Sequence, residues 1–99
     1  MNNTVDAVWT RDRILADILA ILREKVKKLD ADFSGDLNET TRIVGDLNFE
    51  SVTIVEFCMA IGKHFRKKLP FQTLVFRNGR FQDFSVGELL AFVENELKP

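Results

Sequence analysis

The chain is poor in the residues that most reactive sites need. Its 99 residues include one cysteine, one histidine, one tryptophan, no tyrosine and two prolines. A lone Cys58 closes no internal disulfide, and the simplest setting for such a chain is a reducing cytoplasm. One cysteine and one histidine do not make an ordinary zinc set, and neither H-E-x-x-H nor EF-hand spacing occurs, so no metal is expected. No glycine-rich phosphate loop is present. No run approaches the roughly 20 apolar residues of a membrane span. The greasiest early stretch, Ile14 to Leu22, is interrupted by Asp17. Met1 to Asp6 are polar, with no basic cluster ahead of an apolar run, and no secretory signal is expected there.

What is present is globular. The chain is 45% hydrophobic and 29% charged, unlike a disordered segment. A length of 99 residues fits one domain with one modest core. The net charge of −1 hides a segregation. Lys63, Arg66, Lys67, Lys68, Arg77 and Arg80 fall in a stretch with no acidic residue. The rest of the chain is acidic on balance. A basic and an acidic sector are expected, which bears on partners more than on fold.

Residues 1–9 read as a flexible leader, with Val8 and Trp9 able to pack on the bundle, and residues 10–99 as a single domain. A first helix is expected from Arg11 to about Leu29, capped by Thr10. Leu15, Leu19, Leu22, Val26 and Leu29 form its stripe, widened by Ile14, Ile18 and Ile21. From Asp30 to Gly45 the periodicity dissolves into turn residues, with Phe33, Leu37, Ile43 and Val44 as apolar anchors. A second helix is expected from Ser51 to about Lys68, stopped by Pro70. Eight of the ten residues from Val52 to Ile61 are apolar, so burial on most sides is expected, with Thr53, Glu56, Ala60, Lys63 and Lys67 as the exposed strip. Residues 71–83 fit two readings: a short helix, or a hairpin at Asn78-Gly79. Ser85-Val86-Gly87-Glu88 is a capping box, with Phe84 and Leu89 as the staple, and opens the last helix. The sum is an all-α four-helix bundle: three main helices, a short or irregular third element, and a long loop between helices 1 and 2.

Catalytic candidates are few. His64 has no partner nearby in sequence and reads as a surface histidine. Cys58 lies in the greasiest part of the second helix and reads as core. No catalytic residue is assigned, and an enzyme is not expected. Ser51 can be read simply as a helix N-cap, worth about 1 kcal/mol over alanine.

Its neighbours suggest more. Val44 to Pro70 (VGDLNFESVTIVEFCMAIGKHFRKKLP) resembles, without a gap, the centre of the acyl carrier protein family. In that family an Asp-Leu-Gly-x-Asp-Ser-Leu motif opens the second helix. The matching positions are Asp46, Leu47, Glu50, Ser51 and Val52, followed by Val55, Glu56, Phe57, Met59, Ala60, Phe65 and Pro70. Ser85-Val86 also resembles the family's entry to its last helix. The first helix and the long loop match in layout only.

The resemblance implies that Ser51 carries 4′-phosphopantetheine, received from coenzyme A through a phosphopantetheinyl transferase. The arm's thiol would hold an acyl group as a thioester, and the tail would lie between the helices. Asp46, Glu50, Val52, Glu56, Lys63 and Lys67 would face acyl-loading, condensing or transferring enzymes. The implied carrier is a cytoplasmic monomer with no membrane or stable nucleic-acid partner. Glu50, Val52, Asn48 and Phe49 depart from the family pattern, and Lys63, His64, Arg66, Lys67 and Lys68 stand where general fatty-acid carriers are acidic. A specialised carrier is implied, serving polyketide, modified-lipid or another dedicated acyl pathway. The alternative is a helical interaction module without the arm. Nucleic-acid binding through Lys63 to Arg80 is a lesser reading, because the chain as a whole is slightly acidic.

Overall fold

A computed structural model describes residues 9–29 and 36–97. The expected leader and the first part of the long connection, Phe33 included, lie outside the described residues, except for Trp9. Four helices and one small hairpin make up the described chain: α1 (Arg11–Lys28), α2 (Ser51–Phe65), α3 (Gln72–Val75), β1 (Phe76–Arg77), β2 (Arg80–Phe81) and α4 (Val86–Leu97).

α1 starts as its sequence predicts. The Thr10 hydroxyl accepts the Arg13 amide at 3.2 Å, and Lys25, Lys27 and Lys28 close the helix where cations suit its dipole. Its buried line, Ile14, Ile18 and Leu22, lies within the expected apolar face, but the other members of the expected stripe are not sealed. Leu15, Leu19 and Val26 are half-buried, and Leu29 is exposed beyond the last turn. The reason is that α1 packs against both α2 and α4. The middle of its broad apolar face is therefore the part sealed, and its flanks reach the surface. Trp9 closes one end, edge-on to Phe65 with ring centroids 4.8 Å apart.

α2 ends at Phe65, three residues before the expected boundary. Pro70 does not stop it. Arg66 turns into the left-handed region at φ 53°, and the amides of Arg66 and Lys67 return to the carbonyls of Lys63 and Gly62. This is a Schellman closure made without glycine.

Residues 71–83 contain both structures that the sequence left open. α3 is a single turn, and the chain passes directly into the hairpin. Asn78 and Gly79 both have positive φ, 54° and 77°, the type I′ geometry that Asn-Gly favours. Phe76 pairs with Phe81, and Arg77 with Arg80. Phe71 packs on Phe92 of α4, which ties this region to the core.

The capping box at α4 forms in both directions. The Ser85 hydroxyl accepts the Glu88 amide, and the Glu88 carboxylate accepts the Ser85 amide. The amides of Val86 and Gly87 donate to Thr41 and Glu39 carbonyls. Gly87 fits this junction closely: a Cβ there would lie 3.2 Å from the Glu39 carbonyl oxygen, which would have to give by a few tenths of an ångström. The core contains Ile14, Ile18, Leu22, Ile43, Phe57, Ile61, Phe84, Val86, Leu89, Leu90 and Val93, every one at most 1% exposed.

Candidate functional site

The connection into α2 is held from three directions. Ile43, Leu47 and Phe49 enter the core, and Phe49 meets Phe57 edge-on at 6.3 Å. The Ile43 amide bonds to Phe84, and the Phe49 amide returns to Ile43. Asn48 sits at φ 56°, where glycine or asparagine is least strained. Asparagine and a buried phenylalanine are therefore compatible with a turn here.

Asp83 is the hub of this region, and no motif in the sequence marks it. Its carboxylate accepts the amides of Val44 (2.7 Å), Gly45 (3.0 Å) and Phe84 (2.8 Å) and the Arg42 guanidinium (2.9 Å). Partial burial alone would raise its pKa. The bonds from Val44, Arg42, Gly45 and Phe84 outweigh that and hold it below the ordinary carboxylate range. The same contacts raise the Arg42 guanidinium further. Gly45 is needed here, because a Cβ would come within 3.0 Å of the Asp83 carboxylate.

Ser51 lies at the first position inside α2 and is exposed. Glu50 is the N-cap, and no side chain caps this helix. The reading of Ser51 as an ordinary cap is thus not realised. At α4, by contrast, the opening amides are matched with Thr41, Glu39 and Ser85. At α2 the first amide with an acceptor among the described residues is that of Ile54, which bonds to Glu50. The amides of Ser51, Val52 and Thr53 are left as donors beside an exposed hydroxyl, at the positive end of the helix dipole.

Three of the six expected recognition residues, Val52, Glu56 and Lys63, share one face of α2 with Ser51. At about 100° per residue, Ser51, Val52, Val55, Glu56, Met59 and Lys63 fall within roughly 140° of the helix circumference. Of the strip expected to be exposed, Glu56, Ala60, Lys63 and Lys67 are exposed and Thr53 is not, and the exposed face is wider than expected. Thr53 is buried at 7% exposure, whereas Val52, Val55 and Met59 are 61%, 45% and 68% exposed. The helix is buried on one side only, where α1 and the core claim Ile54, Phe57, Cys58, Ile61 and Phe65, and not on most sides as expected. Thr53 borders that side.

The acidic residues divide by role. Glu50 is exposed. Asp46 accepts the Arg42 amide at 2.8 Å and so helps to close its own turn. Glu56 pairs with Lys25 of α1 at 2.9 Å. Lys63 and Lys67 are exposed and border a groove of about 500 Å³ floored by Met59, Leu69 and Phe71. A second groove of about 230 Å³ lies between α2 and α3, beside Ile54, Val55, Val75 and Phe76. His64 does have a partner, but on another element: Nε2 is 3.0 Å from Asp17 of α1. Cys58 is buried, and desolvation pushes its thiol up to about 12, as suits a core residue.

Among the described residues no group of three or more His, Cys, Asp or Glu side chains is arranged to hold a metal, and no helix is long and apolar enough to cross a membrane. Comparison with protein-family models, with curated proteins and with solved structures finds no match for this chain.

Proposed function

We propose that this protein is an acyl carrier. It would hold acyl intermediates as thioesters on a 4′-phosphopantetheine arm attached to Ser51. The observation that carries the reading is the open N-terminus of α2: an exposed serine, no side-chain cap, and neighbouring amides without acceptors among the described residues. A phosphodiester formed on this hydroxyl would place anionic oxygens where free amides and the helix dipole favour them. The motif around Ser51, which resembles that of carrier proteins, supports the same assignment. On this reading the helices form a carrier-type four-helix bundle, with α3 and the hairpin as its irregular third element.

The protein itself would turn nothing over. Its partners would be a phosphopantetheinyl transferase and acyl-loading, condensing or transferring enzymes, met transiently by a cytoplasmic monomer. The apolar groove beside Val55 and Phe76 lies one turn along α2 from Ser51 and is suited to an acyl tail. Burying a tail there would be favourable by about 0.8 kcal/mol per methylene, which shields the tail without trapping it. The lysines at the far end of α2 favour a dedicated fatty-acid-like, polyketide or other specialised pathway over general fatty-acid synthesis.

The test is the intact mass after incubation with coenzyme A and a broad-specificity phosphopantetheinyl transferase. The parent should gain one phosphopantetheine and Ser51→Ala none. No gain with several transferases would refute the reading and leave a helical interaction module without an arm.

A further inference from the structure

We propose that the groove between α2 and residues 67–71 docks an acidic amphipathic helix of a partner protein. The surface combines a wide apolar floor with cations along one margin. Met59, Leu69 and Phe71 provide the apolar part, while Lys63, Lys67 and Lys68 line the same groove of about 500 Å³. Met59 stands 68% exposed at its lip. The ion pairs of the described residues use Arg11, Lys25, Arg42 and His64, so these three lysines are not neutralised among them.

Charge and shape select the occupant. Three lysines that make no ion pair among the described residues, beside apolar surface, favour carboxylates that arrive on an apolar scaffold. The groove is open to solvent, and the exposed strip of Val52, Val55 and Met59 leads into it along about two turns of α2. A helix laying residues i, i+3, i+4 and i+7 against such a strip matches that length, with its carboxylates toward the lysines. Gly62 contributes to the groove. It lies inside α2, where glycine is worth about 1 kcal/mol less than alanine. A Cβ at this position would meet the Lys67 carbonyl at 3.4 Å and Phe71 at 3.6 Å, ordinary contacts that would make the groove shallower. This docking does not require the arm on Ser51.

Two fluorescein-labelled peptides of about 18 residues test it. They share one leucine-rich helical face and differ only in a glutamate or a lysine polar face. Titrated with the unmodified full chain and read by anisotropy, the acidic peptide should bind at least about tenfold more tightly than the basic one and weaken with salt. The triple variant Lys63→Glu, Lys67→Glu, Lys68→Glu should lose about tenfold in affinity for the acidic peptide and reverse the preference. Met59→Gln should weaken the acidic peptide several-fold with unchanged circular dichroism. Equal binding of both peptides, no binding of either, or an acidic-peptide affinity unmoved by the triple variant overturns the proposal. Sedimentation with vesicles of anionic phospholipid in place of peptide binding would overturn it in favour of a membrane surface.

Discussion

Replacing Asp83 by alanine removes one carboxylate and four hydrogen bonds at once. The amides of Val44, Gly45 and Phe84 lose their acceptor, and Arg42 loses its partner. A hydrogen bond to a charged group is worth about 1.5–3 kcal/mol net when both partners are desolvated. The Asp83 side chain is 24% exposed, and water can reach part of what it leaves behind. A simple sum is therefore too large, and a loss of about 2–4 kcal/mol is expected for the alanine variant. For a domain of this size that is a fall of roughly 10–20 °C in melting temperature. The pH dependence has a definite sign. The folded pKa of Asp83 lies below its unfolded value of about 3.9. Its contribution is complete above the unfolded value and is lost as pH falls through the folded one. Asp83→Asn should therefore flatten the acid limb of the stability curve, while alanine lowers stability throughout the neutral range. Urea unfolding followed by circular dichroism from pH 2.5 to 7.5 measures both effects. A change under about 0.5 kcal/mol for alanine at pH 7 would refute the hub. So would an unaltered acid limb in the asparagine variant.

Local geometry sets three further outcomes. Arg66 occupies a left-handed C-cap position at φ 53°, so Arg66→Gly should stabilise by about 0.5–1 kcal/mol, seen as a higher urea midpoint at constant slope. Ser85→Ala breaks half of the capping box and should lower stability by about 1 kcal/mol in the same assay. The Cys58 thiol is pushed up to about 12 by burial, so a disulfide reagent at pH 8 should label it slowly in the native protein and rapidly in urea. Fast native labelling would show that α2 opens or that the thiol is not buried.

The parts of the fold that were legible in the sequence are those where local chemistry decides. Thr10 and the Ser85–Glu88 box each commit their own backbone within a few residues and appear as expected, and Asn78-Gly79 forms the hairpin that was one of two readings for its segment. The parts that were not legible depend on contacts far along the chain. Asp83 binds residues 38 to 41 positions away, and no motif announces such a bond. The end of α2 is set by a left-handed arginine, which sequence preference disfavours, so Pro70 looked like the natural stop. Ser51 was legible only through its neighbours. As a single residue it fits a cap equally well, and what removes the cap reading is the position of Glu50 as N-cap of α2, a property of the folded backbone.

The orientation of α2 is the most consequential of these differences. Composition alone allowed a helix buried on most sides, with its few polar residues forming the surface. The fold keeps Glu56, Ala60, Lys63 and Lys67 on the surface but buries Thr53 and exposes Val52, Val55 and Met59 as well. Exposing large apolar side chains forgoes the roughly 1.5–3 kcal/mol that burial of each would bring. Scattered single residues of this kind are common on protein surfaces. These three are not scattered: they lie on one face of one helix and run from the exposed Ser51 hydroxyl to a groove edged with lysines. A contiguous strip of that kind is stabilised when another surface covers it, and an open, solvent-facing strip suits a surface that comes and goes. The polarity along the strip adds direction. Glu50 lies at the serine end, and Lys63, Lys67 and Lys68 at the other. A partner with the opposite polarity would meet α2 in one orientation only, which would fix where its own reactive groups stand relative to Ser51.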